Sequence, residues 1–114
     1  MSEDYITIRP AEGTWVIRAG GAVIGESSRA LELREGGHDP VIYLPREDVA
    51  MAFLDRSTKT STCPHKGEAS YFTVVTKSTT LPDAVWSYED PKEGVEGIKD
   101  HLAFYPDRIA VEQV

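Results

Sequence analysis

Short apolar runs, each soon cut by glycine, proline or a polar cluster, recur along this chain, and only one stretch carries helical spacing. Tyr5-Ile6-Thr7-Ile8 alternates and is β-prone, while Pro10 and Gly13 end it, which predicts a short edge strand or ordered arm. The β-rich runs 14–19 and 22–26 flank Gly20-Gly21. Both glycines can take positive φ without steric cost, so the pair predicts a hairpin with a primed turn. Within 27–34, Leu31 and Leu33 fall on one side and Glu32 and Arg34 on the other, the pattern of a half-buried strand. The 36–40 stretch turns the chain and Val41-Ile42-Tyr43 returns it.

Residues 45–54 carry the helical signal. Pro45 stands at the first turn, Glu47 and Asp48 lie near the positive N-terminal end, and Val49/Phe53 and Ala50/Leu54 repeat at i, i+4. A turn at 61–67 then feeds a strand through Val75, followed by a polar turn at 77–82 and a strand at 84–88 with Trp86 and Tyr88 on one face. A loop at 90–94, one helical turn at 95–99, and strands at 102–105 and 109–111 complete the chain. Many short strands against one helix predict a mainly β fold, a small antiparallel sandwich or partly open barrel with one short helix. Short connections make sequential strands neighbours.

Composition narrows the partners. The 114 residues form a single domain with one core, spanning 1–114. Twelve Lys and Arg against 19 Asp and Glu leave a net charge of −7, which repels nucleic acid and anionic membrane alike, so a bound anion needs a local basic spot. Cys63 is the only cysteine, which excludes an internal disulfide and suits a reducing compartment. The start Met1-Ser2-Glu3-Asp4 is acidic where a secretory signal would be basic, and no apolar run approaches the about 18 residues of a membrane span. The expectation is a cytoplasmic protein with no nucleic-acid or membrane partner, whose oligomeric state the sequence leaves open.

The densest chemistry lies at Cys63-Pro64-His65-Lys66-Gly67. Pro64 fixes its own φ and pushes Cys63 toward extended geometry, while Gly67 allows backbone that a side chain would forbid. The 63–67 block with Ala69-Ser70-Tyr71 is one of four that resemble a known family. The others are Tyr43-Leu44-Pro45-Arg46-Glu47-Asp48-Val49, Ala84-Val85-Trp86-Ser87-Tyr88, and His101-Leu102-Ala103-Phe104-Tyr105-Pro106-Asp107-Arg108. Together they resemble domain of unknown function family 427 over most of the chain; His65 stands where that family usually has tyrosine or another aromatic. The resemblance implies a small, mostly β, bacterial-type domain, and the family's nucleotidyltransferase label implies an activity to be weighed against the residues.

That activity usually uses two metal ions on closely spaced carboxylates. The acids here come as the adjacent pairs Glu47-Asp48 and Glu89-Asp90, which point apart on a helix or strand and read as solvated surface. Neither a P-loop nor a Rossmann glycine pattern occurs. Cys63, Lys66 and His101 are the catalytic candidates, Cys63 as a thiolate nucleophile or, in the plainer reading, a buried small hydrophobe. A zinc site on Cys63, His65, His38 or His101 lacks paired ligand spacing, so no metal and no cofactor is expected. Arg46, Lys66, His101 and Arg108 are the cations beside aromatic or turn residues, and Trp86, Tyr88, Tyr71 and Tyr105 the aromatics. They suggest a pocket for a small organic or phosphorylated anion near the 63–67 loop, its ligand set being Arg46, Lys66, Trp86, Tyr88, His101 and Tyr105, with Lys66 and His101 facing one site. The alternative is a non-catalytic interaction or oligomerisation module.

Overall fold

Gly20 and Gly21 adopt φ of +54° and +86°, and the turn they form joins β2 (Trp15–Ala19) to β3 (Ala22–Ser27) as the glycine pair predicts. The computed structural model describes residues 5–114; the acidic start at 1–4 lies outside them. Around this hairpin stand β1 (Ile6–Pro10), β4 (Leu31–Glu35), β5 (Val41–Tyr43), β6 (Leu54–Cys63), β7 (Gly67–Val75), β8 (Thr80–Tyr88), β9 (Ala103–Phe104) and β10 (Ala110–Gln113). Every pairing is antiparallel, in three sheets ordered β1-β4-β5, β10-β2-β3 and β6-β7-β8-β9. The fold is mainly β, and the sheets do not close into a barrel.

Single bridges tie the sheets together. Leu44 and Leu102 exchange both backbone hydrogen bonds, each 2.9 Å, and stitch the β1-β4-β5 sheet to the β9 side of the four-stranded sheet. Val49 bridges Gly25, which ties the 45–54 segment to the β10-β2-β3 sheet.

This second bridge explains why residues 45–54 are not the predicted helix. They form two 3-10 turns, Arg46–Asp48 and Met51–Phe53, separated by Val49 in extended conformation (φ −114°, ψ 137°). The Ala50 N–H donates to the Ile24 carbonyl at 2.8 Å, so strand β3 takes the backbone that a helix would need. An isolated helix this short is marginal, and β-branched Val49 gains more from the bridge. The second difference is β6, a ten-residue strand that runs through positions 55–60, to which the sequence pattern assigns no element, and into the expected 61–67 turn. Its residues Asp55, Arg56, Thr58, Lys59 and Thr60 are exposed, so no apolar period marks it; pairing with β7 alone defines it. Strand β8 also begins at Thr80, inside the expected polar turn, and the 3-10 turn Glu96–Ile98 occupies the expected helical turn.

Alternation along the strands creates two cores. The first lies between the β10-β2-β3 sheet and the four-stranded sheet and includes Ile17, Ile24, Leu44, Phe72, Val74, Val85, Leu102 and Phe104. The second joins Leu33 and Tyr43 to Ala69, Tyr71, Tyr88 and Ala103, with Cys63, Trp86 and Tyr105 against it and Val95 and Ile98 packed in.

Candidate functional site

The second core is unusually rich in tyrosine, and its geometry follows from the register of β7, β8 and β9. Tyr71 pairs with Trp86, and Trp86 with Ala103, so the aromatic side chains of neighbouring strands share one face. The Trp86 Nε1–H donates to the Tyr43 hydroxyl at 3.3 Å, with the two rings edge to face at 86°, and the Tyr105 ring lies 4.6 Å from Trp86. Tyr71 and Ser61 share a hydroxyl hydrogen bond of 2.9 Å. Burial pushes the Tyr43 and Tyr88 hydroxyls well above the usual tyrosine range. Burial, then the hydrogen bond to Tyr71, pushes Tyr105 up to about 12. These groups stay protonated at neutral pH and act as packing, with Tyr43 and Tyr105 also hydrogen-bonded to Trp86 and Tyr71.

The cations singled out in the sequence each have an internal partner. Lys66 lies at the tip of the β6–β7 turn, where Gly67 takes φ +108° and pairs with Cys63. Its Nζ donates to Glu35 Oε1 at 2.6 Å, both side chains being only 13% and 15% exposed, and sits 5.9 Å from the Tyr88 ring centroid. Arg46 donates from Nε to the Asp100 carbonyl at 2.9 Å and from Nη2 to Ser87 Oγ at 3.0 Å, while Nη1 pairs with Glu89 at 3.0 Å. Arg56 donates to both Glu89 oxygens, at 3.0 Å to Oε1 and 2.8 Å to Oε2, and Ser70 Oγ donates to Oε1 at 3.3 Å. Both guanidiniums lie over the Phe72 ring, at 5.6 and 5.0 Å. The Arg56 hydrogen bonds, opposed by burial and reinforced by the Arg46 hydrogen bond and the charge of both arginines, hold the Glu89 carboxyl down at about 2. Arg108 donates to the Pro82 carbonyl at 2.6 Å and lies over Tyr105. His101 places Nδ1 3.0 Å from the Lys99 carbonyl. Lys66, Arg46 and His101 are thus attached to three different partners, and Cys63 is half-buried among the aromatics.

Among the described residues, a concavity opens beside Trp86. Beyond the Leu44–Leu102 bridge, β5 and β9 do not continue as a ladder. Hydrogen-bonding direction alternates along a strand, so the N–H and C=O groups of Ile42 and Phe104 aim into the resulting split. A groove of about 430 Å³ opens there, lined by Val41, Ile42, Trp86, Phe104 and Pro106, with Trp15 and Val111 from the β10-β2-β3 sheet. Its charged residues are Glu32 and Asp39. Past Trp15 and Glu32 a second cavity of about 490 Å³ continues along Arg9, Pro10, Ala11, Glu12, Arg34 and Gln113. Both tryptophans of the chain line the first cavity, and Trp15 belongs to both.

No group of three or more His, Cys, Asp or Glu side chains is gathered as a metal site among the described residues. No helix among them is long and apolar enough to cross a membrane. The family model for the domain of unknown function numbered 427 matches residues 7–114. The chain belongs to domain of unknown function family 427. No curated protein matches it.

In this family 427 domain the sequence pattern singles out Trp86 as a ligand candidate and none of the other groove walls. Trp15 lies 71 positions from Trp86 and carries no motif; its signal is that it is the only other tryptophan. Of the partners of Lys66 and Arg46, Glu89 reads as a surface acid and Glu35 carries no signal, because only the tertiary topology brings them to those cations. The quoted blocks contain Tyr43, Phe104 and Pro106, but nothing local distinguishes core from groove among them.

Proposed function

We propose that this family 427 domain is a small-molecule-binding module whose ligand, a flat and largely apolar organic molecule, lies in the groove between Trp15 and Trp86. The observation carrying this reading is the split between β5 and β9, which leaves two tryptophans, Ile42 and Phe104 around a ligand-sized concavity. Grooves of this size with mostly apolar walls and a few polar groups are the usual form of a small-molecule site. Backbone donors and acceptors of Ile42 and Phe104 would orient a polar edge of the ligand. The reading moves the expected pocket away from the 63–67 loop, because Lys66 and Arg46 are occupied by Glu35 and Glu89. Nucleotidyl transfer, the activity of the family label, finds less support: Glu89 is clamped by two arginines, and Asp48 accepts from Ser27 at 2.6 Å and from Arg29 at 3.1 Å.

The test is a thermal-shift screen of the purified protein against a metabolite library, followed by tryptophan fluorescence. A ligand at about a hundred times its Kd adds about 2.7 kcal/mol of stability, which such a screen detects. Hits are expected to perturb tryptophan emission and to weaken in Trp15→Phe and Trp86→Phe. Hits that leave emission unchanged and bind both variants as well as the wild type would sink the groove reading.

A further inference from the structure

The two cavities meet at Trp15 and Glu32, and they differ in charge. We infer that the groove ligand is an aromatic anion, its ring beside Trp15 and Trp86 and its carboxylate or phosphate at Arg9 and Arg34. This rests on the groove reading above and adds the ligand's charge and orientation.

The strand register builds the anion end. Arg9 pairs opposite Glu32 and Thr7 opposite Arg34, so Arg9, Glu32 and Arg34 project from the same face of the β1-β4-β5 sheet. Ile42, opposite Glu32, continues that face into the aromatic cavity. Glu32 Oε1 lies 3.5 Å from Arg9 Nε and 3.0 Å from Arg34 Nε, and Arg34 Nη2 lies 3.5 Å from Oε2. One carboxylate therefore sits between two guanidiniums. Each guanidinium carries five N–H donors in a planar fork, so Glu32 engages a minority of them. Arg9 and Arg34 remain 63% and 51% exposed, in contrast to Arg46, whose three nitrogens are all engaged. Glu32 is only 21% exposed and sits at the junction, marking a position where this chain already holds a carboxylate against two arginines.

The ring end carries the opposite sign. Asp39 lines the aromatic cavity and is exposed, so an anionic group placed there meets repulsion. Glu12 and Glu32 together balance the two arginines in formal charge, so the arginine cavity offers directed guanidinium donors without excess positive charge and does not suit a polyanion. A planar fork suits the bidentate acceptors that carboxylate and phosphate share.

Four naphthalene probes distinguish the possibilities: 2-naphthol, 1-naphthylmethylamine, 1-naphthaleneacetate and 1-naphthyl phosphate, each followed by NMR of the two indole N–H signals in isotope-labelled protein. Both anions are expected to bind roughly tenfold more tightly than the naphthol, and the amine more weakly. Arg9→Gln and Arg34→Gln should each remove most of that advantage without changing naphthol binding, and added salt should weaken the anions alone. Glu32→Gln should tighten both anions. A preference for the acetate over the phosphate, or the reverse, identifies the anionic group. Equal binding of naphthol and the anions, or preferred binding of the amine, overturns the inference while leaving the groove reading standing. Perturbation of neither indole by any probe at millimolar concentration overturns both.

Discussion

Glu89 is the side chain from which an acid-dependent loss of stability is expected. Its carboxyl titrates at about 2 in the folded protein, against roughly 4.3 when unfolded. The stabilisation from the Arg46–Glu89–Arg56 cluster is therefore fully present above the unfolded value and is lost as pH falls through the folded one. Glu89→Gln should cost about 1 kcal/mol at neutral pH, reduced from the full shift because the carboxylate is partly solvated, and the deficit should shrink toward pH 2. Urea midpoints of both proteins across that range measure it; a deficit constant with pH would contradict the assignment. Lys66 poses a different test, because its pair with Glu35 is mostly buried. Lys66→Met strands the Glu35 carboxylate and should cost about 2–3 kcal/mol, whereas Lys66→Met with Glu35→Leu should recover most of it. Denaturant unfolding of the two variants decides; equal losses would show that the pair does not act as a pair. The positive φ at Gly67 in the 63–67 turn was readable from the glycine itself. The partner of Lys66 was not, because Glu35 lies 31 residues away and only the packing of β4 beside the β6–β7 turn joins them.

At the scale of elements, the hairpins were legible wherever turn chemistry is local. Gly20-Gly21 sets both the turn and the register of β2 with β3. A Cβ at Gly20 would lie 2.7 Å from Thr79 Oγ1 on a backbone at φ +54°, so Gly20→Ala should destabilise by about 1–2 kcal/mol. Gly37 has no atom within 4 Å of such a Cβ and no positive φ. Gly37→Ala should therefore be neutral or stabilising by up to about 0.5 kcal/mol. Thermal midpoints compare the two directly, and equal losses would refute the assignment of strain to Gly20. The two elements that local pattern misread both take their conformation from neighbouring strands. Val49 and Ala50 have helical spacing with Phe53 and Leu54, yet their backbone pairs with Gly25 and Ile24. Strand β6 has no apolar period because its outer positions are Asp55, Arg56, Thr58, Lys59 and Thr60. Charge on such an edge also discourages pairing with other chains.

For the whole molecule, the raised hydroxyls of Tyr43, Tyr88 and Tyr105 predict an alkaline limit of stability. Tyr105 titrates at about 12, and Tyr43 and Tyr88 are raised by burial, whereas an unfolded tyrosine ionises near 10. As pH rises through about 10 the unfolded chain releases protons that the folded one retains, so stability should fall. Phenolate absorbance should show at least three of the five tyrosines titrating late, together with a declining urea midpoint; normal titration of all five in the folded protein would disprove it. The mainly antiparallel β architecture was legible because strand and turn signals alternate throughout. The groove was not, since it arises from a ladder that stops after one bridge and from a tryptophan contributed by another sheet. The pairing of β10 with β2 has a consequence for biosynthesis. Residues 110–113 complete a sheet begun by residues 15–19, so β2 and β3 wait as a two-stranded hairpin while nearly the whole intervening chain is translated. Such a hairpin is marginal in water. The inner face of Ile17 and Ile24 is therefore left without its final neighbour until the last strand has emerged from the ribosome, and slow translation through β10 would lengthen the exposure of the nascent chain to aggregation.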